Sequence, residues 1–88
     1  MEVGYSPTFL RQLKSLPSEL QAEAIEKIEL FQRQLNHPQL KTHKLKGRLN
    51  GRYSFSVNYR TRIVFTFSNT KKPRVAYLLA IGDHAVYS

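Results

Sequence analysis

Arg52-Tyr53-Ser54-Phe55-Ser56-Val57-Asn58-Tyr59-Arg60-Thr61-Arg62-Ile63-Val64-Phe65-Thr66-Phe67-Ser68 is the stretch that decides the fold. Tyr53, Phe55 and Val57 alternate with Arg52, Ser54, Ser56 and Asn58. Ile63, Phe65 and Phe67 alternate with Arg62, Val64, Thr66 and Ser68. Side chains in an extended chain point to opposite faces in turn, so each run reads as a strand with one face against a core. Asn58-Tyr59-Arg60-Thr61 has turn chemistry, and it joins the two runs as an antiparallel hairpin.

Outward from this hairpin, Ser68 to Pro73 with Lys71-Lys72 reads as the next loop, and Val75 to Ile81 as a third strand. That run is apolar without alternation, so the expectation is a central strand buried on both faces. Towards the N-terminus, Leu40 to Gly51 reads as a basic loop punctuated by Gly47 and Asn50-Gly51. Before it, Leu20, Ala24, Ile28, Phe31 and Leu35 fall on one face of a helix that runs from Ser18 to about Asn36, stopped by Asn36-His37-Pro38. Ser18 and Gln21 have the spacing of a capping box. Ser6-Pro7 starts a shorter helix with Phe9, Leu13 and Leu16 on its inner face. Glu2 to Tyr5 reads as a short edge strand. The order is β-α-α-β-β-β: an α+β domain, a single unit over residues 1–88, with two N-terminal helices joined by a tight turn and packed on an antiparallel sheet.

The charge is unevenly placed. The 88 residues carry a net +8 with a pI near 10.1. Between Leu30 and Gly82 there are eleven Lys and Arg and no Asp or Glu. Four of the six acids, Glu19, Glu23, Glu26 and Glu29, fall on the second helix, where they read as a solvated face with Glu23 and Lys27 as an i, i+4 pair. A basic half of this kind fits a polyanionic partner such as RNA or DNA. No cysteine is present, which removes disulfides and thiolate zinc sites and fits a reducing cytoplasm. The N-terminal residues lack the features of a signal peptide, and the apolar run Val75 to Ile81 is too short to span a bilayer. The expected localisation is cytoplasmic, with no membrane partner.

Four segments carry a resemblance: His43-Lys44-Leu45-Lys46-Gly47, Gly51-Arg52-Tyr53-Ser54-Phe55, Tyr59-Arg60-Thr61-Arg62-Ile63-Val64-Phe65 and Ile81-Gly82-Asp83-His84-Ala85-Val86-Tyr87. In order and spacing they resemble the RelE/ParE superfamily of toxins from toxin–antitoxin pairs, over nearly the whole chain. The resemblance implies a RelE-like fold. It also implies one of two activities: ribosome-dependent cleavage of mRNA in the A site without metal or other cofactor, or inhibition of DNA gyrase without any cleavage. A histidine followed shortly by an aromatic, as in His84 to Tyr87, is similar to the RelE and YafQ side. The partners implied are a cognate acidic antitoxin, a 70S-type ribosome with its mRNA, and operator DNA bound by the antitoxin complex.

Metal-free cleavage of RNA needs a base for the ribose 2′-hydroxyl, charge stabilisation on the phosphorane and an acid for the leaving 5′-oxygen. The resemblance directs attention to Arg60 for the phosphate, because a guanidinium matches phosphate oxygens with a fixed fork of donors. His84 is the acid/base candidate, Tyr87 a stacking or proton-transfer candidate, and His43 a further catalytic candidate at the head of the basic loop. Residue chemistry alone leaves the plainer readings open: a solvated turn arginine, a sheet-end histidine, a tyrosine covering the core and an RNA-facing loop histidine. His37, beside Pro38, is expected only to stop a helix. Lys44, Lys46, Arg48, Arg52 and Arg62 are expected to contact rRNA or mRNA phosphates. RelE carries lysines on the polar face of the strand after the basic loop, where this chain has Ser54 and Ser56, and that departure points towards histidine-based chemistry. It also keeps a catalytically inactive RNA-binding relative among the alternatives.

Overall fold

Ser6 opens the first helix as expected: its Oγ accepts from the Phe9 N–H at 3.0 Å and its hydroxyl donates to Leu79 O at 3.0 Å. The computed structural model describes residues 1–49, 51–68 and 74–83. Its elements are β1 (Glu2–Tyr5), α1 (Pro7–Lys14), α2 (Ser18–Arg33), β2 (His43–Lys44), β3 (Tyr53–Ser56), β4 (Arg62–Phe67) and β5 (Val75–Gly82), with 3-10 turns at Pro38–Leu40 and Gly47–Leu49. Among the described residues no helix is long and apolar enough to cross a membrane.

The helices bury the stripes that their periodicity marks. Phe9 of α1 and Ala24, Ile28 and Phe31 of α2 are buried, with Leu13, Leu16, Leu20 and Leu35 packed beside them. Phe31 stacks on Phe55 with ring centroids 4.4 Å apart and meets Phe65 edge-on at 4.9 Å, tying α2 to β3 and β4. The capping box at Ser18 does not form. Pro17 is the N-cap, and Gln21 Nε2 instead donates to Leu16 O at 2.7 Å and Lys14 O at 3.2 Å, so its amide closes the connection between the helices. α2 stops at Arg33, a few residues early, and the chain turns through Pro38–Leu40 with His37 Nδ1 accepting from the Gln39 N–H at 3.0 Å. His37 therefore does not end α2, whose C-cap is Gln34, but caps the start of the Pro38–Leu40 turn.

The sheet has five strands in the order β1-β5-β4-β3-β2. Three of its pairings are antiparallel, but β1 runs parallel to β5, so the sheet is mixed and not wholly antiparallel. Part of the expected basic loop is also a strand: His43 pairs with Ser54 and Lys44 with Tyr53.

β5 corrects a second expectation. It lies between β1 and β4, yet it is not buried on both faces: Ala76, Leu78 and Ile81 face the core while Tyr77 is 46% exposed. The run shows no alternation because its outward residues, Tyr77 among them, are apolar too, and a bulge also changes which residues face the core. Val64 pairs with Ala80 and Phe65 with Leu78, leaving Leu79 as an extra residue that shifts the parity of the strand. Without that residue Ile81 would point away from the core that Leu78 enters.

Candidate nucleic-acid interface

Strand register sorts the candidate residues onto faces. Phe55 and Phe65 meet Phe31 of α2, and Tyr53 and Ile63 share their side of the strands, so their neighbours Ser54, Ser56, Arg62 and Val64 stand on the face opposite α2. His43, Ser54, Val64 and Ala80 form one row across that face, and Ser56, Arg62 and Gly82 form the next. Two strand spacings and one row separate His43 from Arg62, roughly 12 Å between Cα atoms. Gly82 is the register partner of Arg62, so the chain leaves the sheet beside that guanidinium on its way to His84. His84 and Tyr87 themselves lie outside the described residues.

Arg60 sits on the turn at the same end of the sheet and is exposed. The turn is held by Asn58. Its Oδ1 accepts from the Arg60 N–H at 2.9 Å and the Thr61 N–H at 2.8 Å, an Asx turn. Its Nδ2 donates to Glu23 Oε1 of α2 at 2.8 Å. Arg62 adds a further tie, with Nη1 donating to Asn58 O and, at 3.3 Å, to Thr61 O. Arg62 is therefore more than a free phosphate contact: one guanidinium nitrogen secures the turn, and the others remain for a ligand. Glu23 likewise is more than a solvated face residue, because its carboxylate anchors the turn that presents Arg60.

His43 is exposed and its Nδ1 lies 2.9 Å from Lys41 O. A carbonyl only accepts, so Nδ1 carries the hydrogen, and the lone pair of the neutral ring is on Nε2. That nitrogen is the one available for proton transfer. Lys41 reaches this geometry in the left-handed region, at φ 50 and ψ 43. Lys44, Lys46, Arg48 and Arg52 are all exposed, spread along β2, the Gly47–Leu49 turn and the start of β3. They line the approach from the β2 edge and are not gathered around Arg60.

Ser54 is wholly buried, and its Oγ has no hydrogen-bond partner among the described residues. Ser56 is almost as buried. A long cationic side chain at Ser54 would have to displace what covers it, so this face is built for small side chains at those two positions. The strand sequence showed the departure; burial gives its consequence.

Sequence reasoning did not assign Asn58, Glu23, Lys27 or Lys41 to the site. Asn58 was legible, since an asparagine opening a four-residue turn signals side-chain capping of the backbone. The other three were not. Glu23 and Lys27 come from α2 and Lys41 from the segment before β2, and only the packing brings them to one cleft with Gln39, Tyr59 and Arg62.

No protein-family model matches the chain, and no curated protein matches its sequence. Solved structures do. The YoeB/ParE toxin from Agrobacterium tumefaciens superposes with a TM-score of 0.76 at 15% identity, covering 96% of this chain and 99% of that one. YafQ from E. coli strain BL21(DE3) gives 0.76 at 13% identity, covering 97% and 94%. A chain of the toxin–antitoxin complex RelBE2 from Mycobacterium tuberculosis gives 0.75 at 18% identity, covering 94% and 96%. The fold is the one these toxin structures share, which is the fold the resemblance implied.

Proposed function

We propose that this chain, folded as the YoeB, YafQ and RelE toxins are, is the toxin of a toxin–antitoxin pair and cleaves mRNA on the ribosome. The observation that carries the reading is the convergence at one end of the sheet. Arg60 on its Asn58-held turn, Arg62 and the take-off of the chain towards His84 at Gly82 come together there, with His43 two strands and one row away on the same face.

In this reading the 2′-oxygen attacks the adjacent phosphorus and the bond from phosphorus to the 5′-oxygen breaks. The products are a 2′,3′-cyclic phosphate and a 5′-hydroxyl. Arg60 holds the phosphate oxygens through the gain of charge in the phosphorane. His84 supplies one proton transfer and His43, through Nε2, the other. Tyr87 stacks on the exposed base. Lys44, Lys46, Arg48 and Arg52 hold flanking rRNA or mRNA phosphates, each adding about 0.7 to the logarithmic salt slope for single-stranded RNA. The partner that restrains the toxin is an acidic antitoxin segment, disordered alone, that covers the Arg60 face; the antitoxin complex engages operator DNA. The setting is the cytoplasm.

Primer extension on mRNA in programmed ribosomes tests this, with the unaltered chain beside Arg60→Ala and His84→Ala. Cuts within the A-site codon that vanish in both variants are the expected result. Intact mRNA on ribosomes shown to translate refutes the nuclease reading.

A further inference from the structure

Beside the Arg60 turn lies a cleft of about 420 Å³, lined by Glu23 and Lys27 of α2, Gln39 and Lys41 of the segment before β2, and Ser56 to Tyr59 with Arg62. Its volume falls within the range of small-molecule sites. Three features give it chemical character. Lys27, Lys41 and Arg62 are three cations against one carboxylate, Glu23. Tyr59 stands at its edge with 90% of its surface in solvent, an aromatic ring that contributes nothing to the core. Glu23 is held in place, since Oε1 accepts from Asn58 Nδ2 at 2.8 Å, and the carboxylate keeps further lone pairs.

We infer that this cleft is a subsite for one guanine nucleotide of the RNA substrate, with its base stacked on Tyr59, its phosphate on Lys41 and Arg62, and its Watson–Crick edge on Glu23. The inference rests on the RNA reading above and extends it to a base preference. A base has a π-face that a free tyrosine ring can carry, worth a large part of single-strand affinity. A cationic pair beside the ring matches the phosphate. Selection then falls to the carboxylate. Guanine presents N1–H and N2–H as adjacent donors, which suits an acceptor-only group. Adenine and cytosine each place a ring-nitrogen lone pair next to their amino group, and uracil flanks its N3–H with two carbonyls, so each sets a lone pair against the carboxylate. Gln39 also lines the cleft, and its side-chain amide is of the right chemistry to donate to guanine O6.

The experiment is a titration of the ¹⁵N-labelled chain at low salt with 5′-GMP, 5′-AMP, 5′-CMP and 5′-UMP, followed by amide shifts, with inorganic phosphate as competitor. The expected result is saturable shifts at Glu23, Gln39, Lys41 and Tyr59, with GMP bound at least about tenfold more tightly than AMP. Glu23→Gln should bring GMP and AMP to within about twofold of each other. Tyr59→Ala, at a ring that supports no packing, should weaken all four by about tenfold. It keeps the test decisive if loss of the Glu23 tie to Asn58 disturbs the fold. Equal affinity for the four nucleotides, an effect reproduced by phosphate alone, or shifts outside the cleft overturns the proposal. Ribosomal cleavage assays run in parallel separate the two readings. Cleavage without saturable nucleotide binding overturns the subsite and leaves the nuclease; GMP binding without cleavage does the reverse.

Discussion

Asn58→Ala removes three hydrogen bonds at once from the turn that presents Arg60. Their losses are unequal. The Arg60 N–H is exposed, so water replaces Oδ1 there and the cost is about 0.5 kcal/mol. Thr61 is buried, and its N–H is left with no acceptor in a place water reaches poorly, which costs about 1 to 2 kcal/mol. The bond from Nδ2 to the Glu23 carboxylate is charge-assisted but half-buried, and adds about 0.5 to 1 kcal/mol. The sum is about 2 to 3.5 kcal/mol, a large share of what a domain of this size has in hand. Urea unfolding followed by circular dichroism, fitted with a common m-value, measures it. Asn58→Asp separates the components: it keeps both turn bonds, loses the donor to Glu23 and sets two carboxylates together, so the expected loss is about 1 kcal/mol. A loss below about 0.5 kcal/mol for Asn58→Ala, with m unchanged, would refute the claim that this amide holds the turn.

Three further outcomes follow from the packing. Lys41 lies in the left-handed region, so Lys41→Gly should leave thermal stability within about 0.5 kcal/mol, whereas the β-branched Lys41→Val should cost about 1 to 2 kcal/mol. Phe31→Ala removes the ring that contacts both Phe55 and Phe65 and should cost about 3 to 5 kcal/mol in guanidinium unfolding, while Phe31→Leu should cost less than half of that. At Gly4 a Cβ would lie 2.8 Å from Tyr77 Cε1, so Gly4→Ala should destabilise by about 1 kcal/mol and Tyr77→Ser should relieve most of that loss in the double variant. A double variant as unstable as the sum of the two singles would show that the ring is not what limits Gly4.

The site was legible in patches. Tyr59-Arg60 and Ile81 to Tyr87 stood out as segments, and the sheet register brings Gly82 beside Arg62 just before His84. That Arg62 is partly engaged by its own turn, or that Ser54 is sealed, could not be read from the strand. Alternation reports which residues share a face; it does not report what covers that face or where a guanidinium finds its acceptors.

The sequence by itself determined the elements whose signal is local. The α2 stripe at Leu20, Ala24, Ile28 and Phe31, the Ser6-Pro7 helix start, and the alternation of β3 and β4 each lie within one segment, because backbone geometry imposes periods of 3.6 and 2 on whatever must be buried. Tertiary structure decided everything that depends on a distant partner. β1 pairs parallel with a strand some seventy residues away, and no local pattern names that partner or its direction. The extra residue at Leu79 is visible only against the register of β4, and an apolar residue at every position of the strand gave no sign that Tyr77 faces outward. The short β2 strand exists because β3 offers it an edge. Glu23 meets Asn58 across 35 residues, a contact set by where α2 crosses the sheet and by nothing in either segment alone.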